Sequence, residues 1–132
     1  MNTFEKLLKL DAGKLNEKQT KEIPSKRLTF LFEEDATVKI RALSSRDIEY
    51  VNEYMTDANG NINQRRLIDG NALICSMGII EPPVQNEELI THFGAKDAKD
   101  LCEKLFEMEM ATIAGQIMEI SGASVDTEEI KN

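Results

Sequence analysis

The sequence has no tryptophan, and aromatic residues make up only 5% of its 132 positions. It also has no run approaching the ~18 consecutive apolar residues that a membrane-spanning helix requires. Near its start, Glu5, Lys6 and Lys9 interrupt the apolar residues, so the stretch lacks the apolar core of a secretory signal. Because 41% of the residues are apolar and 30% are charged, we expect one globular domain that stays in the cytoplasm.

Residues that bind metals or act as nucleophiles are scarce. There is one histidine, His92, and the two cysteines, Cys75 and Cys102, do not form a CxxC pair. Zinc sites are built from paired ligands, and a reducing cytoplasm favours two buried free thiols over a disulfide. We expect His92, beside Phe93, to be partly buried or to cap a helix. A thiol–imidazole pair between His92 and Cys102 stays open, because a glycine break lies between them.

Motifs for phosphate binding and acyl transfer are also missing. The seven glycines are scattered singly, and there is no GxSxG motif. The alternation of Asp57, Asn59 and Asn61 suggests a calcium loop, but Ile62 and Ile68 stand where an EF-hand requires glycine and glutamate. This loop is therefore predicted to be a turn. The sequence predicts no enzymatic activity, no cofactor and no metal site.

Positive charge is scarce in the second part of the chain. Residues 1–80 hold 12 acids and 12 bases, whereas residues 81–132 hold 12 acids and four bases and so carry the whole net charge of −8. Such a chain repels phosphate backbones, which disfavours nucleic acid as a partner. The acidic part either faces a basic partner or keeps the protein dissolved.

Apolar residues alternate with polar ones on both sides of the acidic turn "EEDA". They are Leu28, Phe30, Phe32, Val38, Ile40 and Ala42. Period-two alternation around a short turn predicts a β-hairpin with one apolar face. Because two strands alone are marginally stable in water, helices must cover that face.

The remaining patterns are helical. Residues 2–10 predict a short helix capped by Asn2, and after the hairpin the periodicity predicts four to five short helices. Their start and stop signals are Ser44 with Asp47, Gly78, the pair Pro82 and Pro83, Asn86, Gly94, Asp97 and Gly122. The predicted fold is α+β and mainly helical, with an N-terminal β-hairpin under the helices. We expect a short helix and polar arm over residues 1–25, a single domain over 26–122 and a flexible tail over 123–132.

Methionine and isoleucine are concentrated in the last predicted helix, which includes Met108. Such side chains re-pack against varied apolar partners, so this helix and the segment around the Pro82-Pro83 elbow are hypothetical binding surfaces. The hypothetical partner-binding residues are Ile79, Ile80, Val84, Met110, Ile113, Ile117 and Met118. Two alternatives stay open: the stripe is part of the core, and the elbow only folds the helices back over the hairpin.

The order of these elements resembles the XkdN-like tail assembly chaperones of long-tailed bacteriophages and prophages. The likeness covers roughly residues 24–122 and lies in "IPSKRL", "TFLFEEDATVKIRALSSRDI", "LIDGNALICSMGIIEPPVQNEELITHFGAKDAKDL" and "EMATIAGQIMEISG". The family has a single proline after the acid, whereas this sequence has two, Pro82 and Pro83. The resemblance implies a non-enzymatic protein that transiently binds the tape measure protein during tail morphogenesis, with a homo-oligomer left open and no nucleic acid or membrane partner.

Two rival interpretations remain from the sequence. The first is a structural tail or virion component, or another non-catalytic binding module, which would differ from a chaperone by persisting in the mature particle. The second is a small enzyme or metal protein centred on His92, Cys75 and Cys102. Full stability after chelation and after His92→Ala would argue against this second interpretation.

Overall fold

The computed structural model describes residues 1–63 and 66–123. Within them, seven α-helices surround a small antiparallel sheet, which confirms a mainly helical α+β fold. In chain order the elements are α1 (Thr3–Leu8), β1 (Thr20–Pro24), α2 (Lys26–Phe32), β2 (Thr37–Arg41), α3 (Ser45–Met55), α4 (Leu67–Gly78), β3 (Ile79–Glu81), α5 (Glu87–His92), α6 (Ala98–Phe106) and α7 (Glu109–Ile120). A 3₁₀ helix over Ala12–Asn16 precedes β1.

The first strand of the predicted hairpin is a helix, so that part of the prediction was wrong. Ser25 begins α2 by accepting a hydrogen bond from the Leu28 N–H at 3.1 Å, and Glu33 ends it in the left-handed region at φ 58°. Of the three alternating apolar residues, only Leu28 is buried, while Phe30 and Phe32 are exposed. A strong N-cap immediately after Pro24 thus overrides seven residues of strand-like alternation.

The strand that pairs with β2 lies earlier in the chain. β1 runs antiparallel to β2 with Ile23 opposite Val38, although residues 20–24 are part of the predicted polar arm. The sheet order is β1-β2-β3, and β3 lies directly before the Pro82-Pro83 elbow. Val38 and Ile40 of β2 are completely buried, as predicted for the apolar face.

Most predicted helix starts are confirmed, because short polar side chains cap them. The side chains of Asn2, Ser44, Asn86 and Asp97 each accept a hydrogen bond from the backbone N–H three residues further on. At Ser44 the Asp47 carboxylate also accepts from the Ser44 N–H, which completes a capping box. The predicted flexible tail falls almost wholly on residues 124–132, which lie outside the described residues.

The core lies between β2, α4, α6 and α7. Gly78, the last residue of α4, allows α7 to approach closely: a Cβ atom there would lie 2.6 Å from Cδ1 of Ile117. The elbow after β3 also belongs to the packed domain, because Val84 is completely buried and Gln85 donates a hydrogen bond to the Ser76 carbonyl at 2.7 Å. The peptide bond between Glu81 and Pro82 is cis.

Two side-chain contacts join the end of α7 to the first third of the chain. The Ser121 hydroxyl accepts a hydrogen bond from the Leu43 N–H at 2.8 Å, and the Lys21 ammonium donates to the Gln116 side chain at 2.8 Å. These contacts hold the last helix along the sheet. Over the described ranges, none of the helices combines the length and apolar character needed to cross a bilayer.

Candidate partner-binding surface

Most of the hypothetical partner-binding residues lie in the core. Five are buried, namely Ile79, Val84, Met110, Ile113 and Ile117. Ile80 is at the surface and Met118 is half-buried. As a partner-binding surface, the set stays a prediction. The five buried side chains fill the space between α4, α7 and the sheet, which agrees with the alternative that the sequence left open for the methionine and isoleucine stripe.

Met108, from the methionine-rich stretch before α7, reaches solvent and is 84% exposed. It lies at the junction between α6 and α7, where Glu107 has a positive φ of 51°. Non-glycine residues rarely adopt this conformation, and here it separates the end of α6 at Phe106 from the start of α7 at Glu109. Met108 lies in this junction and points to solvent instead of into the core.

Two grooves meet at Met108. One, of about 190 Å³, is lined by Leu67, Ile68 and Ala111, with Glu103 and Glu107 among its polar residues. The other, of about 680 Å³, includes Phe30, Phe106 and Thr112 and carries the bases Lys26 and Arg27. We call the exposed apolar side chains of both grooves, Phe30, Leu67, Ile68 and Met108, the Met108 surface.

The position of Phe30 on this surface is fixed by Glu109, the first residue of α7. Its carboxylate accepts hydrogen bonds from the Ser25 hydroxyl at 2.6 Å and from the backbone N–H groups of Lys26 and Arg27 at 2.7 and 3.3 Å. These are the free N–H groups at the start of α2, where a negative charge is favourable. Glu109 thus caps α2 from another helix.

Arg27 strengthens the same junction. Its Nε donates to the Leu105 carbonyl at 3.2 Å, and its guanidinium lies 6.0 Å from the centre of the Phe30 ring. Cation–π contacts of this length add modestly to stability at exposed sites. The Phe30 side of the Met108 surface is therefore carried by a braced junction of α2, α6 and α7, whereas Leu67 and Ile68 lie on α4.

Sequence patterns point to only part of this surface. Met108 belongs to the methionine-rich stretch, whereas the alternation around Phe30 predicts the covered face of a hairpin strand. The spacing of Leu67 and Ile68 with Ile74 and Cys75 is compatible with a buried helix, yet the first turn of α4 leaves Leu67 and Ile68 exposed. A helical reading of Ser25–Phe32 from its serine cap would have placed Phe30 opposite the buried Leu28.

The residues of the rival enzyme interpretation do not form a reactive site. His92 is exposed on α5, with its ring edge-on to Phe93 at 4.8 Å between centroids. The partial burial predicted for His92 was therefore wrong, whereas its position as the last residue of α5 agrees with the other prediction, a residue at a helix end. Within residues 1–63 and 66–123, no group of three or more histidine, cysteine or acidic side chains could hold a metal ion.

Both cysteines are free and buried, as predicted. Burial, with a smaller effect from the charge of Asp97, raises the pKa of Cys102 to about 12. Burial and then the neighbouring Cys102 raise the pKa of Cys75 well above its ordinary value. Because the thiolate is the reactive form, neither thiol is a nucleophile at neutral pH.

We expect both thiols to be protected in the folded protein. With a disulfide reagent such as DTNB at neutral pH, the native chain should react only through slow opening, and the denatured chain should release two equivalents at once. Fast stoichiometric reaction of either cysteine without denaturant would contradict the burial described here. Cys102→Ser should leave one equivalent in the denatured state.

The loop after α3 uses its acidic residue to form a turn. One oxygen of the Asp57 carboxylate accepts from the N–H groups of Asn59 and Asn61, both at 2.9 Å, and Gly60 has a φ of 84°. This confirms the predicted turn. The Asp57 oxygen binds backbone N–H groups here, as in an Asx turn.

Together, the fold and the surface define a small α+β protein, mainly helical, that exposes a set of apolar side chains around the α6–α7 junction. A crystal structure of the protein YqbN has a similar fold, with a TM-score of 0.56 and 15% identity over 79% of this chain and 87% of that chain. Comparison with curated proteins gave no match.

The family model of the phage XkdN-like tail assembly chaperone proteins matches residues 4–132. The chain belongs to this family, which confirms the resemblance drawn from its sequence. Membership implies proteins of the phage tail as its partners.

Proposed function

We propose that the protein is a tail assembly chaperone that transiently binds the tape measure protein in the cytoplasm of the host cell while the phage tail is built, and that it performs no catalysis. Family membership supports the tail assembly role. The observation that supports binding is the Met108 surface, where four large apolar side chains are exposed along two grooves that share Met108. The resemblance implies that the tape measure protein is long, helical and prone to aggregate.

The shape of the surface suits a helical segment. Amphipathic helices bind by laying apolar side chains at helical spacing into an apolar groove. Here the two grooves continue into each other through Met108, a flexible side chain that adapts to different neighbours. A binder that must hold many successive stretches of one long partner needs such tolerance.

Charged side chains line both grooves. Glu103 and Glu107 flank the groove near Leu67, whereas the groove near Phe30 carries the bases Lys26 and Arg27 together with Glu107 and Glu109. Among the residues that line the two grooves, the bases therefore lie at the Phe30 end, which favours one orientation of a charged helix and speeds its association. The contact is therefore oriented by charge and held by apolar side chains.

The proposal predicts that Met108→Glu abolishes complex formation. Wild-type protein co-expressed with the tape measure protein of its own gene cluster should co-purify as a soluble complex in size exclusion. Hot-spot side chains contribute at least about 2 kcal/mol, so affinity should fall roughly 30-fold or more. Phe30→Ser should weaken the complex in the same direction, while Phe93→Ser, another exposed phenylalanine outside the two grooves, should not.

Circular dichroism and thermal unfolding of each variant control for loss of fold. The proposal fails if the folded wild-type protein leaves the tape measure protein insoluble, or if Met108→Glu and Phe93→Ser bind equally well. Finding the protein in purified mature tails would contradict a transient role and favour a structural component.

A further inference from the structure

The N-terminal arm, residues 1–19, is unpacked although it is rich in apolar side chains. Its exposed large apolar residues are Met1, Phe4, Leu7, Leu8, Leu10 and Leu15. Phe4, Leu7 and Leu8 share one face of α1, and no residue of α1 is buried. A helix of six residues is not stable alone in water, because helices in proteins derive most of their stability from packing. The apolar face of α1 therefore requires a surface that covers it.

The groove beside Leu67, Ile68 and Met108 has the size and character of such a surface. Its volume of about 190 Å³ lies below the roughly 300–1,000 Å³ of small-molecule pockets, so it accommodates a few side chains and not a ligand of drug size. Its apolar side chains are flanked by Glu103 and Glu107.

The charges of arm and groove are complementary. Residues 1–19 carry four lysines and three acids, so their net charge is +1. Because the whole chain has a net charge of −8, the other residues together carry −9. On α1 and its C-cap, Lys6 and Lys9 outnumber the single acid Glu5. An amphipathic helix with these lysines matches an apolar groove with an acidic rim.

The arm joins the domain at the end opposite to the Leu67, Ile68 and Met108 groove of the same chain. β1 runs toward the Met108 junction, since Ser25, directly after it, hydrogen-bonds Glu109. The residues before Thr20 therefore leave from the opposite end of the strand, where the Gln19 carbonyl accepts from the Ala42 N–H at 2.8 Å and Lys21 contacts Gln116. The arm therefore starts at the end of β1 opposite to the Met108 junction, which favours a second copy as the source of the helix that covers Leu67 and Ile68.

We propose that α1 of one copy docks in the groove of a second copy, with Phe4, Leu7 and Leu8 against Leu67, Ile68 and Met108. Lys6 and Lys9 face Glu103 and Glu107. Reciprocal exchange of the two arms closes a two-fold dimer in which both contacts are identical. The contact forms without any tail protein, so its test does not depend on the proposed tape measure binding.

The test is sedimentation velocity of the full chain over a concentration series. Leu8→Ser in the arm and Ile68→Ser in the groove should each weaken self-association at least tenfold. Each variant has a matched control of similar exposure. Leu15→Ser is the control for Leu8→Ser, because the two leucines are 75% and 71% exposed. Ile62→Ser is the control for Ile68→Ser, because the two isoleucines are 66% and 56% exposed. Both controls should change the dissociation constant less than twofold.

Mixing separates docking between chains from docking within one chain. Leu8→Ser chains keep an intact groove and Ile68→Ser chains keep an intact arm, so their mixture should form heterodimers through one arm–groove contact while each variant alone stays monomeric. The proposal is overturned if the wild-type chain is monomeric at about 1 mM, if the controls weaken it equally, or if mixing adds no dimer. If the wild-type chain is monomeric and Leu8→Ser raises the rate of amide hydrogen exchange at Ile68, the groove is instead occupied by the arm of the same chain.

Discussion

Replacing Ile117 with alanine is expected to lower the free energy of unfolding by about 2–5 kcal/mol, since it removes a large side chain from a packed interior. Ile117 is completely buried and lies against Gly78 where α7 crosses the end of α4. The melting temperature should fall by about 4 °C for each kcal/mol lost in a domain of this size. Thermal and urea unfolding measure the effect.

The adjacent residue provides the control. Met118→Ala removes a half-buried side chain from the same helix and should cost clearly less than Ile117→Ala. Gly78→Ala should destabilise the wild-type protein by about 1–3 kcal/mol through overpacking, yet cost less in the Ile117→Ala background, where the new methyl group finds space. Strictly additive effects would show that Gly78 and Ile117 are not in contact in solution.

Replacing Glu109 with glutamine is expected to cost about 1.5–3 kcal/mol, the usual range for hydrogen bonds to a charged group. Glutamine keeps one oxygen acceptor but loses the charge and the second acceptor that together hold Ser25 and the start of α2. The loss should appear as a lower melting temperature and as faster amide exchange in α2 than in α4.

Glu119→Gln makes the same change at an exposed position of the same helix and should alter stability by less than about 0.5 kcal/mol. If both variants are equally stable, the Glu109 contacts do not brace α2. Because Phe30 lies on α2, Glu109→Gln should also weaken tape measure binding where Glu119→Gln does not.

Local capping chemistry made the helices predictable. Asn2, Ser44, Asn86 and Asp97 each cap the helix that follows them, because a short polar side chain can satisfy a free backbone N–H without any tertiary contact. The strand β2 was predictable for a similar reason, since its alternation reports directly which side faces the core.

The partner of β2 was not predictable from the same signals. β1 contains one buried apolar residue, Ile23, among exposed polar ones, so nothing in its composition distinguishes it from a linker. Its place in the sheet depends on Val38 opposite and on the Glu109 carboxylate, which lies 84 residues from Ser25. Long-range contacts of this kind leave no trace in a local window.

Which residues of the last helix reach solvent was not predictable for a related reason. A stripe of isoleucine and methionine at helical spacing is equally consistent with a core face and a binding face. Met110, Ile113 and Ile117 face α4, while Met108, two residues earlier, is turned outward by the backbone of Glu107. A single left-handed residue at the α6–α7 junction thus decides which methionine meets solvent.

The bonds from Lys21 to Gln116 and from Leu43 to Ser121 have a consequence for biosynthesis. β2 is translated before α7, the helix that packs against both β2 and α4. Because α7 ends at residue 120, the sheet emerges from the ribosome long before α7 exists. Contacts between segments so distant in sequence close late in folding. The domain is therefore completed only after residue 121 has been translated, and until then the nascent chain itself carries uncovered apolar surface.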